Sequence, residues 1–182
     1  MSEYLQTQRL ILSRTNNKHD NVQFLDMLKN DGDFKLFCGI EFSETSLAMF
    51  DGYLEQENFF RIYCRDDTNR LLGYAGIIEQ NGRSEIEFYI KRCERRKGYG
   101  YEAVTAILSN TFAEKTEEIY ATTQKENNAA QSLLRKCGFE EYDNPCKNLF
   151  MLMLDPNNGS LQSINTVEFI LNKHNFGGKN GD

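Results

Sequence analysis

The chain has 182 residues and a net charge of −6, with 40% hydrophobic and 26% charged residues. This length predicts one domain that folds without a metal or a disulfide, because a chain of about 150 residues already buries roughly 70% of its unfolded surface. The acidic balance argues against nucleic acid as a partner, and no apolar run approaches the roughly 18 residues of a membrane-spanning helix.

The first half of the chain predicts a strand, two helices and an antiparallel meander. Arg9–Arg14 is a short apolar-rich strand, and a helix from Asp20 or Asn21 ends near Asn30–Gly32. Ser43–Ser46 caps a second helix with the apolar stripe Leu47, Phe50 and Leu54. The residue pattern then changes from helical to extended and predicts three strands: Phe59–Cys64, Leu71–Ile78 and Glu85–Ile90. Asn81–Gly82 is the predicted hairpin turn before the last of them.

The second half alternates helices and strands. Tyr99–Lys115 has apolar residues at helical spacing, Ile119–Thr122 is a strand, and Asn127–Lys136 is a helix that Gly138 ends. Phe139–Tyr142 and Leu149–Leu154 suggest a closing hairpin. A meander followed by this alternation predicts a mixed α/β (α+β) domain over residues 1–154.

Residues 155–182 are predicted to be a C-terminal appendage. Leu161, Ile164, Val167, Ile170 and Leu171 recur every three or four residues, which is typical of an amphipathic helix. The residues from Gly177 onward are expected to be disordered. The helix packs on its own domain or, alternatively, covers a second copy of the chain in a homodimer.

The cysteines and the N-terminus both indicate a cytoplasmic protein. Met1–Tyr4 has neither the basic nor the apolar region of a secretory signal. The five cysteines contain no Cys-x-x-Cys pair, so we expect reduced thiols and no metal site: Cys38, Cys64, Cys93, Cys137 and Cys146. A nucleophilic cysteine with His19 or His174 as its base is the less favoured alternative.

One basic segment departs from the acidic balance. Lys91–Lys97 holds five cations in seven residues, and Gly98 and Gly100 follow it between a strand and a helix. Glycines let the backbone approach a ligand closely, and the N–H groups at a helix start favour an anion such as a diphosphate. The pattern is neither a Walker loop nor a dinucleotide fingerprint. A solvated charge run with a glycine turn is the alternative.

Three segments resemble the GNAT superfamily of acetyl-CoA-dependent N-acetyltransferases. Arg95–Gly100 is similar to the family's cofactor loop, Gln/Arg-x-x-Gly-x-Gly/Ala. Thr7–Leu12 looks like the opening Thr-x-Arg-Leu-x-Leu of the branch that contains ribosomal-protein N-terminal acetyltransferases, and Asn127–Phe139 resembles the family's helix ending in Gly-Phe. The resemblance covers about residues 7–154. It implies a mostly antiparallel central sheet, flanked by helices and splayed between the fourth strand, Glu85–Ile90, and the fifth.

The resemblance also implies a binding site for acetyl-CoA, with no metal. The backbone N–H groups of the loop would hold the pyrophosphate, and those residues are Arg96, Lys97, Gly98, Tyr99 and Gly100. The backbone of Phe88, Tyr89 and Ile90 would pair with the pantetheine arm, and the Asn127 amide would bind the same arm. The side chains of Arg95 and Lys97 would meet the phosphates, or else are only solvated. Asn127 is alternatively a helix N-cap.

The implied reaction is direct attack of a neutral amine on the thioester, which requires a base. Glu85 and Glu87 are the candidates by resemblance, and solvent-facing strand glutamates are the alternative. Some relatives use a helix tyrosine as general acid, but Leu134 stands at that position. We therefore expect an N-acetyltransferase acting on a protein N-terminus or a small cationic amine. The alternative is a non-catalytic acetyl-CoA-binding or protein-interaction module. Acceptor choice is expected to depend on residues 20–56 and on the hairpin near Asn144–Pro145.

Overall fold

The computed structural model describes residues 4–14, 18–31, 59–80, 82–143, 150–154 and 160–177. Nine strands and three α-helices occur in these ranges, together with 3-10 turns at Arg92–Glu94 and Lys173–Asn175. In chain order the elements are β1 (Tyr4–Gln6), β2 (Leu10–Ser13), α1 (Lys18–Lys29), β3 (Phe59–Cys64), β4 (Asp67–Gln80), β5 (Arg83–Ile90), α2 (Tyr99–Phe112), β6 (Glu118–Gln124), α3 (Asn128–Lys136), β7 (Glu140–Glu141), β8 (Phe150–Leu154) and β9 (Leu161–Asn172).

The strands form one mostly antiparallel sheet in the order β1-β2-β3-β4-β5-β6-β9-β7, and β8 also pairs with β9. The β5–β6 contact is parallel and contains a single Cα pair, Glu85 with Tyr120, although both strands lie wholly within the described residues. By contrast, β4 pairs with β5 from Arg83 to Ile90. The sheet therefore opens between β5 and β6 toward Ile90, which confirms the predicted fold class and its splay.

The two faces of the sheet differ because side chains alternate along each strand. Ile86 and Ile90 of β5 point into the main core, where α2 and α3 cover the sheet. Glu85, Glu87 and Tyr89 fall on the opposite face by alternation. The end of α1 reaches this second face, since the Tyr89 hydroxyl donates to Asp31 just beyond α1 at 2.5 Å. The candidate base is thus separated from the helical core by the sheet itself.

The prediction of a C-terminal helix is wrong, because Leu161–Asn172 is strand β9. Its second half pairs with the whole of β6. Val167, Phe169 and Leu171 alternate into the main core, and Phe169 and Leu171 are fully buried there. The strand also carries Ile164 and Ile170, so apolar residues on both faces produced the helix-like spacing.

The predicted closing hairpin is also wrong, since β7 and β8 each pair with β9 and not with each other. The other predicted strands and helices within the described residues are present, with ends shifted by a few positions. Strand β1 was not predicted. The helix predicted from Ser43, the Asn144–Pro145 hairpin and the tail beyond Gly177 lie outside the described residues.

Candidate functional site

The segment between β5 and α2 presents a row of free backbone donors. Arg96 and Gly98 both have positive φ, 66° and 86°, and Gly98 is the residue before the first turn of α2. Among the described residues, no group accepts a hydrogen bond from the N–H groups of Arg96 to Gly100. These donors lie at the positive end of the helix dipole, so the segment favours an anion.

Gly100 allows this loop to lie close to its neighbours. A Cβ at this position would stand 2.8 Å from Leu133 Cδ1 of α3 and 3.5 Å from Ile90 Cγ1. The missing side chain therefore lets the start of α2 lie against α3 and the end of β5. The close approach seen at Gly100 is thus to protein side chains, whereas the approach of a ligand to the loop stays a prediction.

The Arg95 side chain holds the loop to the end of α1. Its Nη2 lies 2.5 Å from the Asp31 carboxylate, its Nε donates to the Ile90 carbonyl at 2.9 Å, and its guanidinium stacks on the Tyr89 ring. Asp31 is 4% exposed, so Arg95 and the Tyr89 hydroxyl together satisfy a buried carboxylate. The structure gives the Arg95 guanidinium this internal partner, where the resemblance implied a phosphate.

Lys97 also has a protein partner. Its Nζ lies 2.9 Å from Glu94, and Arg70 binds both oxygens of the same carboxylate at 2.7 Å. The hydrogen bond from Arg70 is the main reason that the pKa of Glu94 lies below its usual value. In the described part of the chain, the loop cations that make no ion pair are Lys91, Arg92 and Arg96.

A second brace, formed by the hydrogen bonds of Thr7 and Arg9 with Glu102, joins the Thr-x-Arg motif to α2. It was not predicted from the sequence. Glu102 accepts hydrogen bonds from the Thr7 hydroxyl at 2.6 Å, the Arg9 backbone N–H at 2.8 Å and the Arg9 Nε at 2.7 Å. Arg9 also donates to the Lys97 carbonyl at 2.9 Å and stacks on the Tyr99 ring. The Thr-x-Arg pattern, in the connection between β1 and β2, therefore holds the loop from a segment far away in sequence.

Asn127 and Leu134 take structural positions in and around α3. The Asn127 Oδ1 accepts from the Ala130 N–H at 3.1 Å, so the N-cap alternative is present in the structure. This bond leaves the amide nitrogen of Asn127 without a hydrogen bond to any described residue. Leu134 is 1% exposed within the main core, so nothing at its position donates a proton.

The candidate bases lie along one face of β5. Glu85 is half-buried and accepts a hydrogen bond from Thr122 Oγ1 of β6 at 3.3 Å. Burial raises the pKa of Glu85 above its usual value; the Thr122 hydrogen bond opposes this, the negative charge of Glu168 adds to it, and the positive charge of Arg83 opposes it. Glu87 is half-buried on the same face. A raised pKa suits a carboxylate that takes up a proton near neutral pH.

Glu85 and the backbone donors of Arg96–Gly100 lie toward opposite ends of β5. From Glu85 to Ile90 an extended chain covers roughly 17 Å. The opening between β5 and β6 adjoins this stretch, since Phe88–Ile90 has no Cα partner on β6. The site therefore suits an elongated ligand that has an anionic group at one end and its reacting group at the other.

The three cysteines in the described residues give no support to a thiol nucleophile. Cys64 and Cys137 are buried, and burial raises the pKa of Cys137 to about 11. Cys93 is exposed beside Glu94, while Cys38 and Cys146 lie outside the described residues.

Within the described ranges, no three side chains form a cluster able to hold a metal ion. No described helix has the length and apolar character needed to cross a membrane.

Comparison with known proteins matches the same part of the chain. Residues 9–140 match the family model described as acetyltransferase (GNAT) domain. The uncharacterized N-acetyltransferase YjdG of Bacillus subtilis is 30% identical over 82 residues, which are 43% of this chain and 49% of that protein. The matched region thus spans about half the length of this relative.

Solved structures share the fold over nearly the whole chain. A GNAT-family acetyltransferase from Bacillus anthracis has a TM-score of 0.74 at 19% identity, covering 94% of this chain and 99% of its own. A ribosomal-protein-S5-alanine acetyltransferase from Vibrio fischeri has a TM-score of 0.64 at 12% identity, covering 95% and 98%. At these identities the likeness concerns the fold alone.

Proposed function

The chain belongs to the GNAT acetyltransferase family, and we propose that it transfers an acetyl group from acetyl-CoA to a primary amine. The observation that carries this proposal is the row of free N–H groups from Arg96 to Gly100, at one end of a strand that has a half-buried carboxylate near its other end. Acetyl-CoA supplies an activated acetyl thioester on a long arm whose far end carries a pyrophosphate. Its shape and charge therefore fit the two ends of β5.

Each part of the ligand has residues of matching chemistry. The N–H groups of Arg96–Gly100 would hold the pyrophosphate, and the Arg96 side chain, which makes no ion pair with a described residue, would add positive charge. On the side that faces β6, where Phe88–Ile90 has no Cα partner, the backbone of these residues would hydrogen-bond the amides of the pantetheine arm. The amide nitrogen of Asn127 would bind the same arm while its oxygen caps α3.

Glu85 is the proposed general base. An ammonium group has no lone pair for attack, so its proton must be removed first, and a carboxylate of raised pKa does this more readily at neutral pH. Glu87, on the same face, is the second candidate. Leu134 supplies no acid for the leaving thiolate, because it is buried in the core. A thiolate is a weak enough base to leave without a proton donor at this position.

The proposed acceptors are a protein N-terminus or a small cationic amine. Both carry the ammonium group that Glu85 would deprotonate, and the net charge of −6 favours the approach of cations. The Vibrio fischeri structure named above is that of a protein acetyltransferase, which supports keeping protein N-termini in this group.

The loop assignment is tested by placing a negative charge at its centre. Gly98→Glu is expected to weaken acetyl-CoA binding at least about tenfold in titration calorimetry, because a carboxylate there repels the pyrophosphate. Gly82→Glu is the matched control, since Gly82 also has positive φ, 74°, and its position has open space. Equal affinities of the two variants would show that the loop does not bind the phosphates.

Catalysis is tested with the wild-type protein and a panel of amines that includes peptides with free N-termini and polyamines. We expect release of the CoA thiol with at least one amine, and a lower rate at neutral pH for Glu85→Gln. Tight binding of acetyl-CoA without turnover on any amine would favour the non-catalytic module instead.

A further inference from the structure

Three neighbouring strands place polar side chains next to Glu85. Thr122 of β6 donates to the Glu85 Oε2 at 3.3 Å. Glu168 of β9 lies directly opposite Thr122 in the β6–β9 register. Because the three residues share one face, the Glu168 carboxylate reaches the surroundings of the candidate base from the C-terminal strand.

Arg83, which also lies on β5, contacts the Glu168 carboxylate. It lies two residues before Glu85 and therefore on the same face. Its Nη1 lies 3.7 Å from the Glu168 Oε2, and its guanidinium stacks on the rings of Tyr120 at 4.7 Å and Tyr142 at 5.7 Å. The two rings meet edge to face at 5.6 Å. A guanidinium between two aromatic faces and a carboxylate is held in one place.

Charges of both signs therefore lie near Glu85. Arg83 favours the ionised form of the Glu85 carboxyl, and Glu168 disfavours it. The two charges act on Glu85 in opposite directions, so removal of one leaves the effect of the other unopposed. The described acidic residues on this face also include Glu87, two residues after Glu85 on β5, and Glu118, which accepts a hydrogen bond from the Tyr120 hydroxyl.

We propose that Arg83 and Glu168 are positioning residues for acetyl transfer, a charge pair held by Tyr120 and Tyr142 that sets the electric field at Glu85. Thr122 donates to the Oε2 of Glu85, and no described residue hydrogen-bonds the Oε1, so the Oε1 would be the atom that takes up the proton. This inference rests on the proposed function, in which Glu85 takes the proton. It assigns a role in the active site to the C-terminal strand.

The test uses two variants with opposite expected effects on the pH profile of kcat/KM. Glu168→Gln removes a negative charge, so the rise in rate that follows ionisation of Glu85 shifts to lower pH. Below the midpoint of that rise, the variant is about twofold or more faster than wild type. Arg83→Gln shifts the same rise to higher pH and is slower by a similar factor.

Matched variants separate this role from a merely structural one. Arg83→Lys keeps the positive charge and is expected to leave the rise near its wild-type position. Glu140→Gln removes the same charge as Glu168→Gln from the neighbouring strand β7, where the exposed Glu140 has no ion pair with a described residue. It is expected to leave the profile unchanged. Shifts in one common direction for Arg83→Gln and Glu168→Gln would overturn the proposal.

A second readout needs no turnover. The Glu85 carboxyl carbon is titrated by ¹³C NMR in the wild type and in both charge variants, with Glu85→Gln used to assign the signal. We expect its midpoint to fall in Glu168→Gln and to rise in Arg83→Gln. Absence of turnover on every amine would remove the proposed function, while this titration still decides whether the charge pair acts on Glu85. Unchanged midpoints in both variants would refute the proposed effect of Arg83 and Glu168 on Glu85.

Discussion

The two ends of β5 carry the two halves of the candidate site, and they are built differently. At the loop end, five consecutive residues, Arg96–Gly100, supply the backbone donors of the candidate anion site. At the other end, Glu85 depends on Thr122, which is 37 residues away, and on Glu168 of the last strand. The first half follows from local sequence, whereas the second exists only when β6 and β9 have paired.

Side chains from distant segments nevertheless brace the loop end as well. Arg9, Asp31 and Arg70 each hold one part of it, through Glu102, Arg95 and Glu94. Local sequence thus determines the conformation of the loop, and long-range ion pairs determine where the loop stands. We therefore expect backbone changes near the loop to lower the free energy of unfolding most. Loss of a brace should lower it less, and loss of one helix cap least.

The largest expected effect comes from Gly73, which pairs with Ile90 where β5 leaves the sheet. A Cβ at this position would lie 2.0 Å from the Tyr89 carbonyl oxygen, a backbone atom that moves only if β5 moves. We expect Gly73→Ala to lower the free energy of unfolding by about 3 kcal/mol in urea titrations. Acetyl-CoA binding should weaken too, since Tyr89 contacts both Asp31 and Arg95.

The control for this change is Gly82→Ala in the β4–β5 connection. Gly82 has a φ of 74° and open space around it, so the added methyl causes conformational strain only, about 1–2 kcal/mol. Equal losses of unfolding free energy in the two variants would show that the end of β5 leaves room for a side chain at Gly73. The expected difference between the two ends of β5 would then be contradicted.

The brace from Glu102 to Thr7 and Arg9 has an intermediate expected effect. Burial raises the pKa of Glu102, but hydrogen bonds from Thr7 and Arg9 and the charge of Arg9 together bring it below its usual value of 4.5. Such a group stabilises the fold above its unfolded pKa, and this contribution is lost as the pH falls through the folded value. We expect Glu102→Gln to cost about 1–2 kcal/mol at pH 7.

The pH dependence makes this prediction specific. The difference in unfolding free energy between wild type and Glu102→Gln should shrink as the pH is lowered below 4.5, because the wild-type carboxylate becomes neutral as well. Glu126→Gln, an exposed change with no ion pair to a described residue, should stay within about 0.5 kcal/mol at both pH values. A difference that persists undiminished at low pH would mean that the charge of Glu102 contributes nothing.

Elements that depend on local sequence could be predicted, and contacts that depend on the pairing of distant strands could not. Strands β2–β6, helices α1–α3 and the anion loop follow from local periodicity, from turn residues and from the family resemblance. Strand β9 was predicted as a helix because Ile164, Val167 and Ile170 recur at three-residue spacing on a strand that is apolar on both faces. Consequently Glu168 was missed, and so was Glu102, because neither contact is visible without the tertiary pairing of distant segments.

The smallest expected effect concerns Asn127, the residue whose two predicted roles share one position. Asn127→Ala removes the cap on the Ala130 N–H and should cost about 1 kcal/mol of stability. Asn127→Ser restores a capping oxygen and should recover that stability, but it has no amide nitrogen to offer the pantetheine arm. We therefore expect both variants to bind acetyl-CoA a few-fold more weakly in calorimetry. If Asn127→Ser binds acetyl-CoA as wild type does, Asn127 is only a cap, because a serine hydroxyl replaces its oxygen and not its amide.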